Sequence, residues 1–111
     1  MIVTGYRPIK SKVLIIEDGL NRLDTVLGRS VQALADELEM RDVVVIKAVS
    51  YQDGMASIVS DASIHAVLLS WELEGESPSG ARPAAALLEE LRQRRDKVPV
   101  FLMAETSEGT R

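Results

Sequence analysis

Four apolar runs without polar alternation constrain this chain more than any other feature: "KVLIIED" (12–18), "DVVVIKAVS" (42–50), "HAVLLSW" (65–71) and "VPVFLMAE" (98–105). A strand with one wet face alternates apolar and polar residues. A run that does not alternate has to be covered on both faces, as strands are in a parallel sheet held between helices. The intervening segments supply such helices. Leu27, Val31, Leu34 and Leu38 fall on one stripe and predict a helix over 26–40. Met55, Ile58, Val59 and Ala62 predict a second, opened by Ser50 with Asp53 three residues on as a capping pair. A third opens at Pro83, buries Ala84, Leu87, Leu88 and Leu91, and ends in the basic "RQRRDK", which suits a helix C-terminus.

The order is therefore β-α-β-α-β-α-β. Right-handed crossovers make of it an open parallel sheet in three α/β/α layers, flavodoxin-like, with strand order 2-1-3-4. At 111 residues the chain holds at most one domain. Residues 1–10 read as a lead-in and 11–111 as the domain. A five-stranded fold of this type needs a further helix, strand and helix after Glu105, so the expectation is a domain truncated after its fourth strand, either a fragment or completed by a partner. The open parallel edge is then prone to pairing. The one long loop, "ELEGESPSGAR" (72–82), is acidic, then small and expected to be flexible.

Composition excludes several function classes. There is no cysteine, hence no disulfide, thiolate nucleophile or cysteine metal site, which fits a cytoplasmic protein. A net charge of −4 argues against a general nucleic-acid binder. No apolar run approaches the roughly 20 residues that span a bilayer, so no membrane partner is expected. "MIVTGYRPIK" lacks the apolar core and cleavage site of a signal peptide.

Ligands of open α/β sheets bind beyond the carboxyl ends of the strands. The residues there are Glu17, Asp18, Ser70, Trp71, Glu72, Met103, Ala104 and Glu105. Glu17 and Asp18 resemble the acidic pair with which phosphate-accepting receiver domains hold Mg²⁺. Such a site needs a third hard oxygen ligand, and a receiver supplies it as the phosphate-accepting aspartate at the end of strand three. Here that position is Ser70. Met103 stands where a receiver places a hydroxyl, and no strand-five lysine is present. Phosphoryl transfer depends on positioned charge, so the chain reads as a receiver in shape only. Asp18-Gly19 reads first as a strand-to-helix turn and only secondarily, with Glu17, as a metal site. His65 has no partner at metal or triad spacing and reads as a strand-start residue. Ser70 lies in no G-x-S-x-G elbow, and no phosphate-binding glycine loop follows strand one. No catalytic, cofactor-binding or metal residue is assigned.

The interface candidates are Trp71 with Glu72 and Glu74 in the adjoining loop, and Arg92, Arg94 and Arg95, with Lys97 beyond them. A strand-end tryptophan can anchor a protein interface; partial core burial is the plainer alternative. The basic cluster can receive an anionic ligand or acidic partner, or can be a solvated helix end with Glu90 and Arg94 paired at i,i+4.

The stretch "KVLIIEDGLNRLDTVLGRSVQALADELEMRDVVVIKAVSYQDGMASI", followed by "IHAVLLSWELE" and "VPVFLMAE", resembles the N-terminal wing domain of inducible, acid-stress arginine, lysine and ornithine decarboxylases. "VIKAVSYQDG", the Ser70-Trp71 strand end and "VPVFL" point within that group toward the arginine enzymes. The resemblance covers roughly residues 11 to 105. It implies a receiver-like wing without phosphorylation chemistry, preceding a pyridoxal-phosphate domain that performs the decarboxylation, in a cytoplasmic enzyme. It also implies assembly of dimers into rings, usually decamers, with other copies of the chain and its own catalytic domain as partners. Lys10, Lys12, Lys47 and Lys97 have no Schiff-base setting, so pyridoxal phosphate is expected only downstream. The alternative is a stand-alone pseudo-receiver that binds a signalling partner through its strand-end loops. One histidine cannot make a histidine-cluster switch. With 17 acidic against 13 basic residues, neutralising surface carboxylates toward about pH 5 is expected to reduce repulsion between copies.

Overall fold

In the computed structural model residues 11–21 and 26–104 are described, and the lead-in over 1–10 and Glu105 lie outside them. Strands β1 (Lys12–Ile16), β2 (Val44–Ala48), β3 (Ala66–Ser70) and β4 (Val100–Met103) alternate with helices α1 (Val26–Met40), α2 (Tyr51–Ser60) and α3 (Pro83–Arg94). A short 3-10 turn, Asp18–Asn21, follows β1. All pairings are parallel and the order is β2-β1-β3-β4, as the sequence pattern predicts.

Alternate residues of the central strands feed two cores, because successive side chains of a strand point to opposite faces. Leu14, Ile16, Val67 and Leu69 join Ile58, Leu87 and Leu91 under α2 and α3. Val13 and Ile15 join Val31 and Ala35 under α1. Leu14, Ile15 and Ile16 are fully buried, each contributing on the order of 2 kcal/mol of gross transfer free energy. The three layers are thus α1, the sheet, and α2 with α3.

Burial on both faces holds for β1 and β3 but not for the edge strands. Val44 on β2 is exposed, and on β4 Phe101 and Leu102 are more than half exposed. By register Phe101 lies beside Leu68 and Leu102 beside Leu69, so β4 is open on both faces. The helical stripes also differ in detail. On α1 the buried residues are Gly28, Val31 and Ala35, with Leu38 half-buried and Leu34 exposed; the Leu27 side chain lies outside the described set. On α2, Ile58 is buried and Met55 half-buried, whereas Val59 is exposed and Ala62 falls past the helix end. The unpredicted member is Gly54. A Cβ there would sit 3.0 Å from Ile16 Cδ1, so α2 packs closely on β1 and any side chain at this position would require Ile16 to give way.

Two helix ends are satisfied locally. Ser50 Oγ accepts from Asp53 N at 3.1 Å, the predicted cap of α2. At the end of α1, Val43 N donates to Leu38 O and Asp42 N to Glu39 O, the paired bonds of a Schellman motif, with Asp42 in the left-handed region at φ 70°. The loop over 72–82, expected to be small and flexible, is folded on itself. Leu73 and Ser77 are buried, Ser77 Oγ donates to Ala81 O at 2.8 Å, and Gly80, at φ 80°, donates its N–H to Ser77 O.

Candidate functional site

The carboxyl ends of β1 and β3 converge on two buried polar side chains. β1 and β3 run in register with Ile16 opposite Leu69. One step further sets Glu17 beside Ser70. Glu17 is 3% exposed and Ser70 1%. Glu17 N donates to Ala48 O at 2.9 Å, and N of Trp71, the residue after Ser70, donates to Met103 O at 2.8 Å, so the sheet ladder runs on past the pair on either side.

Glu17 Oε2 accepts the Gly19 N–H at 2.7 Å, closing the turn that follows β1. Among the described residues Glu17 Oε1 and Ser70 Oγ have no hydrogen-bond partner. Burial pushes the Glu17 carboxyl above its ordinary range, and the neighbouring Asp18 charge adds to this. The Ser70 hydroxyl and the Gly19 N–H pull the other way and are outweighed. The hydroxyl is close enough to act on the carboxyl without meeting it in normal hydrogen-bond geometry.

Asp18 lies within side-chain hydrogen-bonding reach of Glu17 and, as a like charge, helps to push the Glu17 carboxyl up. Asp18 Oδ2 accepts from Glu74 N, at 3.4 Å, at the start of the loop after β3. No group of three or more His, Cys, Asp or Glu positioned to hold a metal ion occurs among the described residues. The arrangement offers neither an accessible nucleophile nor a carboxylate at the strand-three position. What it can do is hold and release a proton.

Trp71 is half-buried against the core beneath α2 and α3. Arg82 lies over its ring at 5.3 Å and donates from Nη1 to Trp71 O at 3.1 Å. Glu72 and Glu74, which follow in the same loop, are both exposed. The basic cluster is divided. Arg94 pairs with Glu90 at 2.8 Å, as the i,i+4 spacing predicts. Arg95 turns inward and donates to Ile58 O and Asp61 O, covering the carbonyls that α2 leaves unpaired at its end. Arg92 and Lys97 stay exposed. The structure thus brings Trp71 next to Glu72 and Glu74, on the loop, but places the arginines at the opposite end of the sheet.

That amino-terminal end holds a second cluster that the sequence does not reveal. Lys12 Nζ meets Asp61 Oδ2 at 2.9 Å, and Asp61 Oδ1 accepts from Ser63 N and Oγ. The Ser63 hydroxyl first, then the Lys12 ammonium, hold the Asp61 carboxyl well below the usual carboxylate range. His65 Nδ1 accepts from Lys12 N at 3.0 Å while His65 N donates to Lys12 O, so its ring takes the place of a carbonyl in the β1–β3 ladder.

Comparison with known proteins agrees with the receiver-like geometry. A receiver domain of a Pseudomonas putida response regulator superposes with a TM-score of 0.64 at 15% identity, covering 94% of this chain and 76% of that one. The response regulator MaeR, bound to beryllium trifluoride, gives 0.59 at 20% identity, covering 90% and 71%. These likenesses concern the fold. Over 94 residues the chain is 36% identical to the biodegradative arginine decarboxylase of Escherichia coli strain K12, a match that spans 85% of this chain and 12% of that protein. No helix among the described residues is long and apolar enough to cross a membrane. The family described as Orn/Lys/Arg decarboxylase, N-terminal domain, matches residues 26–111, and the chain belongs to it.

Proposed function

We propose that this chain is a non-catalytic assembly domain of a cytoplasmic, pyridoxal-phosphate-dependent basic amino-acid decarboxylase that acts under acid stress, with other copies of the protein and a downstream catalytic domain as its partners. The observation that carries the reading is the 36% identity to an arginine decarboxylase of which the matched segment is only 12%. The local chemistry supports it. Where a phosphate-accepting domain needs a carboxylate, this chain has the buried Ser70, which supports a domain without phosphoryl-transfer chemistry.

The described lysines do not fit pyridoxal phosphate. Lys12 is paired with Asp61, Lys47 reaches only Gln32 at 3.5 Å on the surface, and Lys97 is exposed. The cofactor belongs to the catalytic domain, and no step of the reaction runs through these residues. The surfaces that favour contact with other copies are β4, with Phe101 and Leu102 exposed, and the loop bearing Glu72 and Glu74.

The test is to express the decarboxylase that contains this chain with and without residues 1–111, and to measure sedimentation at about pH 5 and pH 8 beside decarboxylation of arginine, lysine and ornithine. The expected result is a loss of the large assembly, strongest at the lower pH where carboxylate repulsion is weakest, with activity retained by the remaining dimers. An unchanged mass would overturn the assembly role. A natural product that ends near Arg111 would favour the pseudo-receiver instead.

A further inference from the structure

The polar pair at the carboxyl ends of β1 and β3 has a use that the assembly reading neither requires nor supplies. Two adjacent buried oxygens, Glu17 Oε1 and Ser70 Oγ, lack partners among the described residues. Leaving such atoms unpaired is costly; a hydrogen bond between them removes both deficits, and burial of Glu17 away from any described cation favours the form in which the carboxyl is the donor. We propose that Glu17 and Ser70 form a buried proton-binding site, loaded by a proton on Glu17 Oε1 that is donated to Ser70 Oγ, and that its emptying loosens the loop carrying Trp71.

A hydroxyl suits this role because it both accepts and donates. In the loaded state the carboxylic acid donates to Ser70 Oγ, while Oε2 keeps the Gly19 N–H. In the emptied state the proton has gone to bulk water, and Ser70 Oγ–H turns to donate to the carboxylate. Burial makes the emptied state the disfavoured one.

Apart from the Gly19 N–H and the Ser70 hydroxyl, the groups around Glu17 among the described residues do not favour its charge. From its own segment comes Asp18, a like charge. β2 offers the Ala48 carbonyl, which accepts from Glu17 N, and the exposed Lys47, whose ammonium reaches Gln32. β3 offers Ser70, and β4 places Met103 opposite Ser70. The loop after β3 adds the exposed carboxylates of Glu72 and Glu74, while Arg82 is held over Trp71. The link to the loop is Asp18, whose carboxylate accepts the Glu74 N–H. A second negative charge beside Asp18 disturbs that contact, and Trp71, immediately after Ser70, reports it. Trp71 is the single tryptophan of the chain.

The test uses the 111-residue chain, with carbon-13 in its glutamate carboxyls, titrated by NMR between about pH 4 and pH 8, a range that brackets the ordinary carboxyl values. Trp71 emission is followed in parallel. Glu17 is expected to titrate above every other described glutamate, and Trp71 emission to change with the same midpoint. Ser70→Ala, which removes the donor to the ionised form, is expected to move that midpoint further up, and Glu17→Gln to abolish the Trp71 transition. Titration of Glu17 together with the exposed Glu72 and Glu74 would overturn the site, as would a midpoint unmoved in Ser70→Ala. A Trp71 signal that is flat, or that persists in Glu17→Gln, would overturn the coupling to the loop. The wild-type titration decides the site even if a variant does not fold, and none of these readouts depends on the assembly role.

Discussion

Asp61, beneath the amino ends of β1 and β3, and Glu17, beyond the carboxyl end of β1, are carboxylates set against the same sheet with opposite outcomes. Asp61 is partly exposed and fully answered: Lys12 meets one oxygen and Ser63 the other. Its own carbonyl receives Arg95. Glu17 is buried, answered at one oxygen by Gly19 and unanswered at the other. The Ser63 hydroxyl and the Lys12 ammonium lower the cost of charge at the first site, and burial raises it at the second. The amino end therefore fixes the fold, whereas the carboxyl end, where open α/β sheets place their ligands, keeps a group whose charge can change.

The largest effect expected is at the amino end. Arg95→Ala removes the part-buried guanidinium that covers the α2 carbonyls of Ile58 and Asp61. Hydrogen bonds from a charged donor make this a loss of about 2 kcal/mol in urea unfolding. A loss within about 0.5 kcal/mol, the range of ordinary surface substitutions, would mean that water replaces the guanidinium, and the amino end would no longer stand out as the fixed one.

A smaller effect tests whether the carboxyl end, despite its unpaired oxygens, is close-packed. Gly54→Ala gains helix propensity of about 1 kcal/mol but drives a Cβ to 3.0 Å from Ile16 Cδ1. Ile16 is fully buried and flanked by Glu17, so it has little room to yield. Overpacking costs roughly 1–3 kcal/mol, which leaves a net destabilisation of about 1 kcal/mol by thermal or urea unfolding. A stabilised variant would show that Ile16 can shift and that the β1 end is loosely packed.

The same contrast explains what was legible in the sequence. The continuous apolar runs gave the strands, their order and the helices between them, because periodicity records which faces are covered. They also promised two covered faces for β2 and β4, which are edge strands with exposed Val44, Phe101 and Leu102. Position in a sheet is a tertiary property that a run of valines does not encode. Ala35 and Gly54 were missed as contact residues because small side chains weigh little in a hydrophobic stripe, although they let helices come close. Ser70 was legible as a substitution, a hydroxyl where receivers carry aspartate. Its burial beside Glu17 needed the β1–β3 register. Arg95 looked like its basic neighbours until the fold turned it toward α2, and Asp61, Ser63 and His65 became a cluster only when β1 paired with β3.

A lesser effect concerns the loop that the carboxyl end supports. Arg82 lies over Trp71 and donates to its carbonyl, but is itself exposed. An exposed cation–π contact contributes about 0.5–1 kcal/mol, so Arg82→Ala is expected to cost about 0.5 kcal/mol and to shift Trp71 emission toward that of a more solvated ring. No change in emission would mean that Trp71 is held by the core alone.

The last test reads slopes with pH rather than a single free energy, and salt separates its two halves. The Asp61 carboxyl is lowered from its ordinary value of 3.8. Its contribution is present above that value and is lost as pH falls through the folded-state value. The Glu17 carboxyl is raised from 4.5. Its relative contribution is full below 4.5 and is lost as pH rises through the folded-state value. Asp61→Asn should therefore flatten the acid limb of a stability–pH curve, and Glu17→Gln the decline on the other side. Asp61 sits where solvent screens it, so about 1 M salt, with a Debye length of about 3 Å, should shrink the Lys12 part of its effect. Desolvation dominates at Glu17 and is not screened by ions that cannot enter. If salt shrank both slopes alike, the Glu17 shift would be coulombic, arising from Asp18 and the loop carboxylates, and the two ends of the sheet would differ in the sign of their charge neighbours rather than in burial.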